Sequence, residues 1–112
     1  MDKTPVDILT AIPAPYPDVT TRHDGETVEI SFLRIRSARM QRLLGKWCKK
    51  NYVTFDAHGS FVWGLIDGRN TVSDIITASE SHFAGEQEYE ERIQRFIMSL
   101  HSNKIIKLLI RN

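Results

Sequence analysis

The stretch from Tyr52 to Gly68 (YVTFDAHGSFVWGLIDG) constrains the fold most, because its pattern changes from strand to helix within a few residues. Residues 52–55 are aromatic or β-branched, as half-buried strands prefer. Asp56 offers a side-chain oxygen to the free N–H groups of a helix start and is predicted to be the N-cap. Apolar residues then recur at helical spacing: Val62, Leu65 and Ile66. Gly68 is predicted to end this helix, because glycine adopts a positive φ without steric cost.

Size and composition limit the class of protein. The chain has 112 residues, of which 41% are hydrophobic, so it is expected to form one domain with a modest core. Its 15 basic and 14 acidic side chains nearly cancel, which argues against a general polyanion binder. A single cysteine, Cys48, excludes an internal disulfide. Without a long apolar run or a signal-peptide pattern, the expected location is the cytoplasm.

The chain is predicted to begin with an extended, poorly structured arm over residues 1–22, followed by one domain over residues 23–112. Four prolines lie in this arm: Pro5, Pro13, Pro15 and Pro17. Proline removes an N–H donor and disfavours helix in the preceding residue. We therefore expect a loose arm that makes a few docking contacts.

A small antiparallel sheet is predicted after the arm. Asp24-Gly25 is a hairpin signal between a short segment at residues 18–22 and a strand over Thr27 to Ile35. Val28, Ile30 and Phe32 alternate with polar residues in that strand and are expected to share one face.

A basic amphipathic segment at residues 34–50 is predicted to contain a helix from Ser37 to Lys50. Its apolar residues lie on one arc, and the opposite arc carries Arg39, Arg42, Lys46, Lys49 and Lys50. One interpretation is that the basic arc docks on an acidic partner or an anionic membrane. The other is that the apolar stripe packs on the protein's own sheet while the basic groups are simply solvated.

Two further helices and a final apolar run complete the prediction. Thr71 begins a T-V-S-D capping box for a helix that runs to about His82. A third helix is predicted over Gln87 to Asn103, and its first turns carry Glu86, Glu88, Glu90 and Glu91. Residues 105–110 are predicted to form a short strand or an extended tail.

No catalytic or metal-binding pattern is present. The four histidines are scattered, and there is one cysteine, so no zinc or iron–sulfur site is encoded. Phosphate-binding and nucleophile-elbow motifs are missing. Cys48 lies beside two lysines that favour the thiolate, but no base accompanies it in the sequence. The chain is therefore predicted not to be an enzyme and to need no cofactor.

The order of elements predicts an α+β, winged-helix-like fold: a small N-terminal antiparallel β-sheet followed by a three-helix bundle. Winged helices often bind DNA. The four glutamates at the start of the third helix argue against this function, since DNA-binding proteins present Lys or Arg to phosphates. A DNA-binding regulator and an adaptor that docks on an acidic protein or membrane surface both stay open as alternatives.

The run FDAHGSFVWGLIDGRNTVSDI resembles the core signature of the PqqD-like family, and the resemblance extends from about Glu26 to Leu109. The residues that carry it are Gly59, Trp63, Leu65, Asp67-Gly68 and Thr71-Val72. The resemblance implies a peptide-recognition element that binds the leader segment of a ribosomally made precursor peptide. It also implies presentation of that peptide to a modifying enzyme, often a radical SAM protein.

Carried onto this chain, the resemblance implies a peptide cleft between a strand edge and the third helix. The strand would contribute Tyr52, Val53, Thr54 and Phe55, and the helix Arg92, Arg95, Phe96, Ser99 and Leu100. An extended peptide can join an exposed strand edge through main-chain hydrogen bonds. The arginines are expected to pair with acidic leader residues, whereas the spacing of Phe96 and Leu100 favours the core. The basic segment is expected to dock the enzyme, or else to cover the binding strand.

Overall fold

The computed structural model describes residues 8–33 and 50–110. Within these ranges the strands are β1 (Ile12–Pro15), β2 (Thr20–Asp24), β3 (Thr27–Leu33), β4 (Lys50–Phe55) and β5 (Ile106–Leu109). The helices there are a 3-10 helix (Ile8–Thr10), α1 (Ala57–Trp63), α2 (Val72–Ala78) and α3 (Tyr89–Ser102). Every strand pair in this part of the chain is antiparallel. The expected mixture of antiparallel strands and three helices is therefore confirmed for these residues.

Chain contacts divide the protein into two compact units, which we describe one at a time. The first unit lies within Met1–Tyr16 and Phe61–Asn112, and the second is Pro17–Ser60. The domain boundary expected after residue 22 stays a prediction. The predicted basic helix lies outside the described residues, except that Lys50 begins β4.

The second unit is built on a three-stranded sheet in the order β2-β3-β4. The predicted hairpin is present, but β2 runs from Thr20 to Asp24 and the loop is Gly25-Glu26 instead of Asp24-Gly25: Asp24 pairs with Thr27, and Gly25 has a φ of 64°. A positive φ at the first loop residue alone is the requirement of a type II′ turn. The predicted apolar face of β3 is buried, with Val28, Ile30 and Phe32 at most 7% exposed.

The step from β4 into α1 confirms Asp56 as the helix cap. The N–H of Gly59 donates to Asp56 Oδ1 over 2.8 Å, and the N–H of Ser60 donates to the Asp56 carbonyl oxygen over 2.8 Å. The side chain thus satisfies a donor that the first helical turn would otherwise leave free.

The predicted end of this helix at Gly68 is wrong, because α1 ends at Trp63. The N–H groups of Leu65 and Ile66 donate to carbonyl oxygens three residues back, so the chain tightens into a turn. Gly68 has the positive φ expected of it, 80°, but it lies in the loop that follows.

Residues 12–15 form β1 instead of the loose arm that the prolines predict. This strand pairs with β5, so the final apolar run is a strand. The Gly68 N–H donates to the Pro13 carbonyl oxygen over 3.1 Å, and the Val72 N–H donates to the Ala11 carbonyl oxygen over 2.9 Å. The Pro13 carbonyl points away from β5, and the nitrogen of Pro13 therefore points away as well. Proline is tolerated there because the β1–β5 ladder needs no N–H donor at this position.

Helix α2 begins at the predicted capping box. Thr71 Oγ1 accepts from the Asp74 N–H, and the Asp74 carboxylate accepts from the Thr71 N–H, each over 3.0 Å. The helix ends at Ala78, before the expected His82. Ser79 is fully buried, and its hydroxyl donates to the Ile75 carbonyl oxygen over 2.7 Å, so it caps the helix end.

Helix α3 lies within the predicted range, Gln87 to Asn103. It follows Glu88, whose φ of 59° is in the left-handed region. Its buried face consists of Ile93, Ile97 and Leu100.

Candidate functional site

Strand β4 is an edge strand. In the described part of the chain it pairs with β3 on one side, and no strand pairs with its other side. Such an edge presents a row of N–H and C=O groups to whatever lies beside it.

The register identifies which backbone groups of β4 face outward. Asp24 and Thr27 close the two-residue hairpin and therefore form a hydrogen-bonded pair, so the odd-numbered residues of β3 face β2. The hydrogen bond of the Leu33 N–H supports this assignment, because it runs to Asp18 Oδ2, over 2.8 Å, on the β2 side of the strand. The even-numbered residues of β3 consequently bond to β4, where their partners include Val53 and Phe55.

By the same alternation, Tyr52 and Thr54 direct their N–H and C=O groups away from β3. Their side chains also lie on the face opposite to that of Phe55. The Tyr52 side chain is 64% exposed, whereas Phe55 is 6% exposed. Val53 is half-buried. Of the four β4 residues predicted to bind peptide, Tyr52 and Thr54 are thus accessible through backbone and side chain alike, and Phe55 belongs to the core.

The face that carries Tyr52 and Thr54 is largely polar on β2 and β3, apart from the half-buried Leu33. Glu29 lies opposite Thr54 and forms an ion pair with Arg22 over 3.1 Å. The hydroxyl groups of Thr20 and Ser31 are hydrogen bonded to each other. Tyr52, at 64% exposed, is therefore the exposed aromatic side chain that β4 presents on this face.

The first unit places the predicted helix residues in three environments. Arg92 is exposed and forms an ion pair with Glu86 over 2.8 Å. Ser99 is also exposed, and Phe96 is half-buried. Leu100 is 4% exposed and belongs to the core, the outcome that its spacing favours.

Arg95 lines a surface groove that the sequence reasoning did not identify. The groove has a volume of about 510 Å³ and is lined by Ile8, Glu91, Gln94, Arg95 and Met98. Four of these residues have the i, i+3, i+4, i+7 spacing of one helix face. This spacing is the feature of the sequence that could have identified them as neighbours. The fifth, Ile8, comes from the segment expected to be loose, which is why the groove could not be assembled from sequence.

Acidic side chains surround the start of α3, as the sequence predicts. Glu88, Glu90 and Glu91 are exposed. Partial desolvation, together with the negative charges of Glu90 and Glu80, raises the pKa of the Tyr89 phenol. A surface of this charge repels phosphate groups.

The Asp67-Gly68 pair, which belongs to the family signature, has a structural role. Asp67 Oδ1 accepts hydrogen bonds from the Asn70 N–H over 3.0 Å and from the Arg69 N–H over 2.9 Å. These bonds favour the ionised carboxylate and lower the pKa of Asp67. The carboxylate therefore holds the turn that leads into α2.

Two absences hold for residues 8–33 and 50–110. Within them no cluster of His, Cys, Asp or Glu has the arrangement of a metal site. In the same ranges no helix has the length and apolar character to span a membrane. Of the residues predicted to dock a partner, four lie outside the described ranges: Arg39, Arg42, Lys46 and Lys49.

Comparisons with known proteins give two matches. Residues 36–106, more than half of the chain, match the family described as coenzyme PQQ synthesis protein D (PqqD). Among solved structures, TbiB1 in complex with the TbiA(beta) leader peptide has a similar fold, with a TM-score of 0.62. It is 17% identical, and the alignment covers 84% of this chain and 94% of that chain. No curated protein matches.

Proposed function

Because this chain belongs to the family of coenzyme PQQ synthesis protein D, we propose that it binds the leader segment of a ribosomally made precursor peptide and presents it to a modifying enzyme. The family membership and the similar fold of a protein solved with a leader peptide support this proposal. In this role the domain is not catalytic and needs no cofactor. It acts in the cytoplasm, where ribosomes make the precursor.

The observation that carries the proposal is the exposed edge of β4. The leader adds to this edge as an extended strand, and the outward N–H and C=O groups of Tyr52 and Thr54 supply the main-chain hydrogen bonds. The exposed ring of Tyr52 contacts a leader side chain on the same face. Val53 and Phe55 hold the strand in place through β3 and the core.

Helix α3 supplies charged and polar contacts through its exposed side chains. Arg95 and Arg92 pair with acidic leader residues, and Ser99 adds a hydroxyl group. Phe96, which is half-buried, offers the edge of its ring. The strand and the helix belong to different units, so each contribution is tested by its own substitutions.

The fold that we propose for this recognition element is winged-helix-like. A DNA-binding regulator with that fold is disfavoured here, because exposed glutamates crowd the start of α3. A salt titration with a duplex oligonucleotide distinguishes the two functions. Binding to DNA weakens steeply with added salt, whereas backbone pairing at a strand edge changes little.

The modifying enzyme, a radical SAM protein in many members of this family, docks on the basic segment through Arg39, Arg42, Lys46, Lys49 and Lys50. Reversing the charges of Arg42, Lys46 and Lys49 then weakens the complex with the enzyme while peptide binding is retained. Unchanged enzyme affinity rules out this docking surface. Sedimentation with anionic vesicles tests the membrane alternative.

The test of the proposed function uses a peptide encoded next to this gene. Its synthetic leader is titrated into the ¹⁵N-labelled protein, and amide shifts are followed by nuclear magnetic resonance. We expect the outward amides of Tyr52 and Thr54 to respond most strongly in β4. Leader binding that leaves both amides unchanged contradicts the β4 site, and no binding of any neighbouring precursor contradicts the function.

A further inference from the structure

The outer side of β1 is closed to further strands. The Pro13 and Ala11 carbonyl oxygens on that side accept hydrogen bonds from the N–H groups of Gly68 and Val72. Pro13 and Pro15 have no N–H to donate. A strand that approached β1 from outside would therefore find no N–H donor at Pro13 or Pro15, and the carbonyl oxygens of Ala11 and Pro13 are already occupied.

The outer side of β5 is not covered by any strand of the described ranges. The Tyr16 N–H donates to the Ile105 carbonyl oxygen over 3.2 Å, and this bond fixes which residues of β5 face β1. Lys107 and Leu109 face β1 through their backbone groups, so Ile106 and Leu108 direct theirs outward. Among the described residues, no strand pairs with this edge.

The residues along this edge lack the protection that exposed strands normally have. Leu109 is 42% exposed and Ile110 is 53% exposed. A lysine usually guards such an edge, because its charge opposes pairing. The Lys107 ammonium group lies 5.4 Å from the centre of the Tyr16 ring, so it is drawn onto the protein's own surface.

We infer that β5 pairs with β5 of a second copy of this chain. Antiparallel pairing about a twofold axis at Leu108 places Leu108 opposite Leu108 and Ile106 opposite Ile110 of the second copy. The outward N–H and C=O groups then satisfy one another, and the half-buried Leu108 and the exposed Ile110 gain apolar neighbours. Ile106, which is already buried, contributes only its backbone groups. A two-stranded sheet is marginal by itself, and this pairing extends it to four strands.

The second copy is the occupant that these observations select. The edge is self-complementary, as a twofold interface requires. Pairing uses the outer sides of both β5 strands, and both β1 strands are already capped by Gly68 and Val72. This sheet therefore cannot grow past the dimer.

Sedimentation equilibrium on the full chain tests the inference. An interface of one short strand is small, so we expect a dissociation constant on the order of 0.1 mM and a dimer fraction that rises with concentration. Leu108→Pro removes an outward N–H that the β1–β5 ladder does not use, and it is expected to weaken association about tenfold or more. Circular dichroism checks that the fold is kept.

Ile110→Lys provides a second variant. Ile110 lies just outside β5, and the substitution places a charge at the proposed contact. The matched control is Met98→Lys, because Met98 is similarly exposed, at 43%, and lies on α3. We expect Ile110→Lys to weaken the dimer and Met98→Lys to leave it unchanged. If the protein is monomeric at all concentrations, the inference is overturned, and a strand of another protein becomes the favoured partner of this edge. Association unaffected by Leu108→Pro and by Ile110→Lys overturns it as well.

Discussion

Arg92 forms an ion pair with Glu86, in which Nη1 and Oε1 are 2.8 Å apart. Arg95, on the same helix, has no ion pair with any residue in the described ranges and lines the groove beside Ile8 and Met98. An acidic leader residue must therefore displace Glu86 to reach Arg92, whereas it meets Arg95 directly. The two arginines that the sequence grouped together are not equivalent.

Arg95→Ala is accordingly expected to weaken leader binding more than Arg92→Ala. An exposed ion pair contributes about 0.2–1 kcal/mol, which corresponds to a loss of about 1.5- to 5-fold. Isothermal titration calorimetry at low and high salt measures the difference, which salt should reduce. Glu86→Gln is the control: it frees Arg92 and should leave affinity unchanged or raise it. Equal losses for both arginine variants would refute the distinction.

Thr54→Pro is expected to abolish most leader binding while the fold is kept. Proline at this position removes an outward N–H and inserts its ring at the edge, without breaking the ladder to β3. Loss of one hydrogen bond costs about 0.5–1.5 kcal/mol, and the ring adds a steric block, so we expect about a tenfold loss or more. Fluorescence anisotropy with a labelled leader measures this change.

The matched control for Thr54→Pro is His23→Pro on β2, the opposite edge of the same sheet. By the register, the N–H of His23 also points outward. This variant should bind the leader as the wild type does. If His23→Pro loses binding and Thr54→Pro retains it, the peptide joins β2 instead.

Tyr52→Ala is expected to weaken leader binding without changing stability, whereas Phe55→Ala is expected to destabilise the fold, although the two residues are only three positions apart. Tyr52 is 64% exposed, so its loss should change the free energy of unfolding by less than about 0.5 kcal/mol. It should weaken leader binding about 2- to 5-fold through the lost cross-strand contact. Phe55→Ala creates a cavity in the core and should cost about 3–5 kcal/mol. Urea denaturation and calorimetry separate the two effects.

The carboxylate of Asp67 should make stability depend on acid pH. Its pKa is lowered by the N–H groups of Asn70 and Arg69, from an ordinary value of 3.8. A group whose pKa is depressed by folding stabilises the protein above its unfolded pKa, and this contribution is lost as the pH falls through the folded pKa. The melting temperature of Asp67→Asn should therefore lie below that of the wild type at pH 7. The difference should shrink as the pH falls below 3.8 and through the lowered pKa of the folded state, and a constant difference would contradict the mechanism.

Local chemistry explains what was predictable from the sequence. The Asp56 cap and the Thr71 capping box each act within three or four residues, and each is found where the sequence places it. The hairpin loop lies one residue later than Asp24-Gly25. The burial of Phe55 and the exposure of Tyr52 also follow from an alternating strand, but the outward direction of the Tyr52 backbone depends on pairing with β3.

Long-range bonds explain what was missed. The prolines of β1 predict a loose arm because they remove donors, yet this strand needs few donors of its own. It is held by the N–H groups of Gly68 and Val72, which lie more than fifty residues away. The early end of α1 does have a marker, Gly64, which directly follows Trp63, but Leu65 and Ile66 continue the helical pattern past it and so favour a longer helix.

The family match starts at residue 36, but Ala11 and Pro13 lie well before it. A chain trimmed to that match would strip the amides of Gly68 and Val72 of their acceptors and leave β5 without its neighbour. Its failure to bind a peptide would then reflect a damaged scaffold. Whoever prepares this protein for binding studies should keep everything from Ile8 onward.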